Sequence, residues 1–144
     1  MPDIRHSIVI DAPPERVQPL ISSAAGLAQW WAADARQDGS SGAVELGFFN
    51  RATMYRLEPV SIAAREKVEW RCTSGKEWNG TSIVFDFTPY GARTLVHFCH
   101  AGWQSDTEYF VSCNTTWGEL MFRLKAAAEG RAPGPLFSAE GVAY

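Results

Sequence analysis

Residues 93–130 read RTLVHFCHAGWQSDTEYFVSCNTTWGELMFRLKAAAEG, and the change of period inside that stretch decides the fold. Thr94, Val96, Phe98 and His100 alternate with Leu95, His97 and Cys99, which is the period of a strand, and both faces are apolar enough for a central one. After Gly102-Trp103 the spacing turns helical. Phe110, Cys113, Asn114, Trp117, Leu120, Met121, Leu124 and Ala128 recur at intervals of three and four, a stripe along one face. Ser105-Asp106-Thr107-Glu108 has the spacing of a capping box, Gly130 supplies a left-handed stop, and Pro133 and Pro135 bar continuation. A helix of about six turns is predicted.

Working back towards the N-terminus, Asp34 to Gly102 holds short alternating runs separated by turn residues, the pattern of an antiparallel sheet. Val44, Leu46 and Phe48 alternate, as do Tyr55 and Leu57, then Val68, Trp70 and Cys72, then Ile83, Phe85 and Phe87 after an Asn79-Gly80 turn. Arg56, Glu58, Lys67, Glu69 and Arg71 take the opposite phase and read as a solvated outer face. Ile4 to Ile10 is one more strand. Asp11 followed by Pro13-Pro14-Glu15 reads as a helix start, with a helix to about Ser22 and a second small one from Ala24 to Trp31. The order is strand, two short helices, six strands and a long helix. A sheet with one apolar face needs a cover, and only the C-terminal helix is long enough. The fold class is α+β, a curved antiparallel sheet of about seven strands around that helix, with a ligand-sized gap expected between them. Residues 1–130 make one domain, and 131–144 an apolar, aperiodic tail that needs a surface on the domain or a partner.

The 144 residues are 46% hydrophobic and 20% charged, enough to pack one core. A net charge of −3 lacks the basic face that nucleic acid requires. No signal-like start and no membrane-length apolar run is present, so a soluble, cytoplasmic location without membrane insertion is expected. Three cysteines, Cys72, Cys99 and Cys113, without CxxC spacing suit a reducing compartment. GxSxG, Walker A, GxGxxG and HExxH motifs do not occur.

Ile8-Val9-Ile10-Asp11-Ala12-Pro13-Pro14-Glu15-Arg16-Val17 resembles the opening motif of the SRPBCC (START-like) superfamily, and Gly26-Leu27-Ala28-Gln29-Trp30-Trp31 resembles its next helix. Trp78-Asn79-Gly80-Thr81, His100-Ala101-Gly102-Trp103, Trp117-Gly118-Glu119-Leu120 and Leu124-Lys125 are similar to the branch named for activators of the heat-shock-protein ATPase. The resemblance covers about Ile4 to Gly130. It implies a helix-grip fold with a deep apolar pocket, which relatives use for lipids, hormones or polyketide intermediates, or a cochaperone domain. Chaperone activators carry a second domain that 144 residues do not hold, so a chaperone partner ranks last.

The expected ligand-binding residues are Trp30, Trp31, Phe48, Tyr55, Trp70, Phe85, Phe87, Phe98, His100, Phe110, Asn114, Trp117 and Met121. Aromatic rings would grip a flat apolar ligand, and Asn114, Tyr55 or His100 would orient it. His6 and His100, on neighbouring antiparallel strands in the resembled fold, are candidates for an acid–base pair in a cyclase or aromatase. His97 and Cys99, with Cys72 or Cys113, lack the ligand spacing of a zinc site, so no metal and no cofactor is expected. The functional expectation is a binding protein for an apolar, lipid-like or aromatic molecule. Its alternatives are the histidine enzyme and a cochaperone-like interaction module, and a homodimer is a candidate assembly.

Overall fold

The computed structural model describes residues 1–62 and 66–143. β1 (Ile4–Ile10) leads into α1 (Pro14–Ile21) and α2 (Ala24–Leu27). Six strands follow: β2 (Asp34–Gln37), β3 (Val44–Phe48), β4 (Thr53–Ser61), β5 (Lys67–Cys72), β6 (Ser82–Tyr90) and β7 (Arg93–Ala101). After α3 (Glu108–Ala128) comes a small hairpin of β8 (Phe137–Ser138) and β9 (Gly141–Val142).

The first seven strands form one sheet in the order β1-β7-β6-β5-β4-β3-β2, antiparallel throughout. β2 to β7 run as a meander, and β1 joins its far edge with Ile4 opposite His100 and Ile8 opposite Val96. The strand alternation holds residue by residue. Val68, Trp70 and Cys72 are buried while Lys67 and Arg71 are exposed, and Lys67 pairs with Glu69 on the outer side at 3.3 Å. β7 lies inside the sheet, one strand from its edge, and on its outer face Leu95 and Cys99 are half-buried while His97 is exposed.

α3 lies on the inner face with Cys113, Trp117, Leu120, Met121, Leu124 and Ala128 buried. Each such large apolar side chain contributes about 1.5–3 kcal/mol by leaving water. The helix starts later than the Ser105 capping box implies, because Thr107 is the cap and its Oγ1 accepts from the Phe110 N–H at 3.2 Å. Its end is as expected. Gly130 has φ +83°, and its N–H donates to Ala127 O while the Arg131 N–H donates to Ala126 O, a Schellman ending.

The helical elbow also differs in detail. Asp11 does not cap α1; its backbone N–H donates to Glu129 Oε2 at 2.7 Å, and the helix starts on the fixed φ of Pro13 and Pro14 instead. α2 stops at Leu27, since the Gln29 N–H turns back to Gly26 O and the chain tightens. Gly26 permits the elbow: a Cβ there would stand 2.0 Å from the Pro19 carbonyl oxygen.

The C-terminal segment finds its surface on its own chain. Leu136 is fully buried, the Leu136 and Phe137 N–H groups donate to the carbonyls of Trp30 and Trp31, and the Ala33 N–H donates to Phe137 O at 2.9 Å. From α3, Arg123 donates to the carbonyls of Pro133, Gly134 and Ala143 and straps the segment down. The last residue of the expected tail, Tyr144, lies outside the described residues.

Candidate functional site

The gap between sheet and helix is a cavity of about 240 Å³ at one end of the molecule. Its walls are Phe48, Thr53 and Tyr55 from β3 and β4, and Tyr109, Ser112, Cys113, Thr116, Trp117 and Leu120 from α3. Trp31, Trp78, Phe49 and the hairpin residues Phe137 and Val142 complete the lining. The rings form a continuous wall. Tyr55 stacks on Trp78 with centroids 3.9 Å apart and planes 9° apart, and Trp31 lies 4.8 Å from Trp117. Gly75 makes the stack possible: its φ is +91°, and a Cβ would meet Tyr55 Cε1 at 2.6 Å. Phe49, itself exposed, stands at the rim edge-on against Phe137, its ring centroid 6.0 Å away. Its loop runs through three successive left-handed residues, Phe49, Asn50 and Arg51, at φ 53°, 57° and 68°. A bulky residue held there is strained by roughly 1–2 kcal/mol.

At one end of the cavity the hydroxyls of Tyr55 and Tyr109 are hydrogen-bonded, and Thr53, Ser112 and Thr116 add further hydroxyls to the lining, that of Thr116 donating to Ser112 O at 3.2 Å. Burial pushes both phenols up, Tyr109 to about 12, so they are neutral at ordinary pH. Burial likewise raises the Cys113 thiol and keeps it protonated. No lining residue carries a formal charge. Lys76 and Glu77 lie beyond the tyrosine pair, in an outer groove whose wall includes the same Tyr55 and Tyr109.

His100 is fully buried beside this wall but does not line it. The Trp117 indole N–H can only donate, so His100 Nδ1 accepts from it at 3.1 Å and the ring proton sits on Nε2. Nε2 lies 2.8 Å from Thr81 Oγ1, whose own proton goes to the Trp78 carbonyl at 2.6 Å. Every member of the chain is satisfied in the neutral state, and burial pulls the imidazole down to about 3. His6 stands opposite Phe98 on β1, one same-face position along from Ile4, the residue opposite His100. It is half-buried and outside the cavity wall, with Gly118 of α3 above its Cε1.

Of the residues expected to grip a ligand, Trp31, Phe48, Tyr55 and Trp117 line the cavity. Trp30, Trp70, Phe85, Phe87 and Phe98 lie in the core instead, because the α1–α2 elbow fills the middle of the inner sheet face. The indole N–H groups of Trp30 and Trp70 donate to the carbonyls of Leu20 and Ile21 at the end of α1. Phe85 and Phe98 pack edge-on at 5.1 Å. Met121 is buried outside the lining, and Phe110 is half-buried against Trp103 at 5.2 Å. Asn114 is exposed, so it orients nothing in the cavity. His97 is exposed and Cys99 half-exposed on the outer face, whereas Cys72 and Cys113 are buried within. Among the described residues no three His, Cys, Asp or Glu side chains gather as a metal site.

Tyr109, Ser112, Cys113 and Thr116 were the missed wall. At 100° per residue Tyr109, Ser112 and Thr116 flank the buried stripe on one side, next to Cys113 at its edge, while Asn114 flanks it on the other. The period alone does not say which flank meets a gap. Trp78 sits in the β5–β6 connection, where no period operates, and Phe137 and Val142 belong to the aperiodic tail.

A family model described as Activator of Hsp90 ATPase homolog 1-like protein matches residues 11–129. The Aha1 dimer from Colwellia psychrerythraea, solved in solution, is 27% identical, superposes with a TM-score of 0.80, and the match covers 90% of this chain and 98% of that one. CalU16 from Micromonospora echinospora, at 16% identity and a TM-score of 0.71, shares the fold over 92% of this chain and 68% of its own. Protein SSP2350 from Staphylococcus saprophyticus does so at 15% identity and 0.70, over 91% and 94%. No curated protein matches the sequence. Among the described residues no helix is long and apolar enough to cross a membrane.

Proposed function

The chain belongs to the Activator of Hsp90 ATPase homolog 1-like family, of SRPBCC type and helix-grip fold, and from that premise we propose that it binds an apolar small molecule in the cavity between β3, β4 and α3. The observation that carries this reading is the aromatic wall itself. Rings of Trp31, Phe48, Tyr55, Trp78 and Trp117 surround about 240 Å³ instead of packing it shut, and close packing is the rule in protein interiors. Trp31, Phe48, Tyr55 and Trp117 are the proposed contact residues, joined by Trp78, Tyr109 and Phe137. A cyclase using histidines has less support. Both nitrogens of His100 are engaged, and a proton on Nδ1 would oppose the Trp117 N–H.

Native mass spectrometry of the freshly purified protein, followed by titration with small cyclic compounds and tryptophan fluorescence, tests the reading. Retained mass or saturable quenching abolished by Leu120→Trp, which fills the cavity, is the expected result. Saturation unaffected by that variant would place binding elsewhere and overturn it.

Self-association is a second reading, favoured by Val111 and Phe122, which are 50% and 64% exposed and eleven residues apart on one face of α3. The Colwellia protein, a dimer, is consistent with it. Light scattering should show a dimer that Phe122→Glu dissociates; a monomer at high concentration would remove this reading.

A further inference from the structure

We propose that the cavity selects a neutral, compact ring compound carrying one hydrogen-bonding oxygen, with the Tyr55–Tyr109 hydroxyl pair as its specificity-determining pole. The inference rests on the binding function proposed above and narrows the ligand class by size, charge and polarity.

Size comes first. An apolar cavity of about 150 Å³ holds benzene. The volume here, about 240 Å³, leaves room for a ring and a few further carbons, or two small fused rings, and is too small to enclose a long acyl chain. Charge comes second. No lining side chain is ionic, and Lys76 and Glu77 lie on the far side of the tyrosine pair, in the outer groove. A carboxylate or ammonium held among the rings would lose its hydration without gaining a counter-ion, a cost that selects against a charged group there. Polarity comes third. Two phenols carry two protons, and one bond between them uses one. The second proton and the remaining lone pairs, with the Cys113 thiol as their neighbour, stand at the edge of the ring-lined space, where a ketone or hydroxyl oxygen of the ligand completes them. Tyr55 is fixed by its stack on Trp78, so the pole is pre-oriented. Tyr109 is 38% exposed and shared with the outer groove, which makes it the partner free to adjust.

The test is calorimetric titration of the full chain with three probes of one skeleton: indane, 1-indanone and indane-2-carboxylate. Indanone is expected to bind roughly two- to tenfold tighter than indane, the range of one ordinary hydrogen bond, and the carboxylate not measurably. Tyr109→Phe, which keeps the ring and removes only the hydroxyl, should bring the two neutral probes to within about twofold, chiefly by weakening indanone. Tyr55→Phe serves as the second variant with the same expectation. Equal binding of indane and indanone to the unmodified protein would overturn the polar selection while leaving the binding function intact. A preference that survives both variants would do the same, and tight carboxylate binding would overturn the charge argument. Binding of none of the three would overturn both this inference and the function it rests on.

Discussion

Acidification from pH 7.5 to about pH 5 is expected to cost the fold about 2 kcal/mol through His100 alone. In the folded protein the ring is fully buried and its pKa is held down at about 3; in the unfolded chain it titrates near 6.5. The folded state therefore binds fewer protons than the unfolded one between these limits, and stability rises with pH across that window. The contribution is complete above about pH 6.5 and shrinks by about 1.4 kcal/mol for each unit below it, down to the folded value. At pH 5, 1.5 units into the window, this gives the 2 kcal/mol. With a urea slope of about 2 kcal/mol/M for a chain of this size, the midpoint moves by about 1 M. Urea unfolding at pH 7.5, 6.5, 5.5 and 5.0 measures it, with His100→Gln as the comparison. Glutamine still accepts from Trp117 and donates to Thr81, but it does not titrate, so the variant should be less stable at pH 7.5 and should lose less on acidification. Glu129, whose carboxyl is pushed up by burial but held below its ordinary value by Lys125, the Asp11 N–H and Arg131, loses its contribution only as pH falls below about 4.5 and hardly enters this range. If the variant and the unmodified protein lose the same stability between pH 7.5 and 5, His100 is not buried neutral and the network as drawn is wrong.

Arg123→Ala removes the guanidinium that holds Pro133, Gly134 and Ala143, and should unlatch the hairpin with a loss of about 1–3 kcal/mol in local protection. Hydrogen exchange at Leu136, Phe137 and Ala143 should accelerate while β6 and β7 keep their protection; unchanged exchange would show that Leu136 alone anchors the segment. Gly75→Ala puts a Cβ on a left-handed residue and 2.6 Å from the Tyr55 ring, so it should lower stability by more than about 1 kcal/mol and displace Tyr55 from Trp78. Thermal unfolding reads the first effect. Loss of any preference between indanone and indane reads the second, and an unshifted melting temperature would contradict the close approach.

What was legible in the sequence was what local periods encode. The alternation in Val68–Cys72 and Thr94–His100 depends only on the two-residue pleat, and the 3.6 repeat from Phe110 to Ala128 depends only on the helix, so strands, helix and their buried faces follow directly. The cavity is not a local property. It exists where the elbow runs out of side chains to fill the inner sheet face, and that depends on Gly26 letting α2 lie against α1 at Pro19. Asn114 stands at one edge of the helical stripe and Tyr109 just beyond the other, and only tertiary packing decides which flank of α3 meets the cavity. The helix cap shows the same limit on a smaller scale: Ser105 and Thr107 both suit the role, and Thr107, whose Oγ1 also donates to Glu77, is the one used.

The wall of the cavity divides into two kinds of element, and the division says where specificity resides. Trp31 and Trp117 are core residues first, fixed by contacts such as the Trp117 bond to His100, and would hold their places with the cavity empty or full. Phe49, Tyr109, Phe137 and Val142 are different. They come from a strained loop, the first turn of α3 and a two-residue-strand hairpin, at the rim of the fold and outside both the seven-stranded sheet and the buried stripe of α3. Substitution among them alters the polar pole, the mouth and the volume without disturbing the sheet. Proteins that share this fold at 15% or 16% identity superpose with TM-scores of 0.70 and 0.71, so the scaffold tolerates wide replacement of its residues. A ligand preference carried by the loop, the first helical turn and the hairpin can therefore change while the buried frame stays in place, and family membership fixes the frame more tightly than it fixes the ligand.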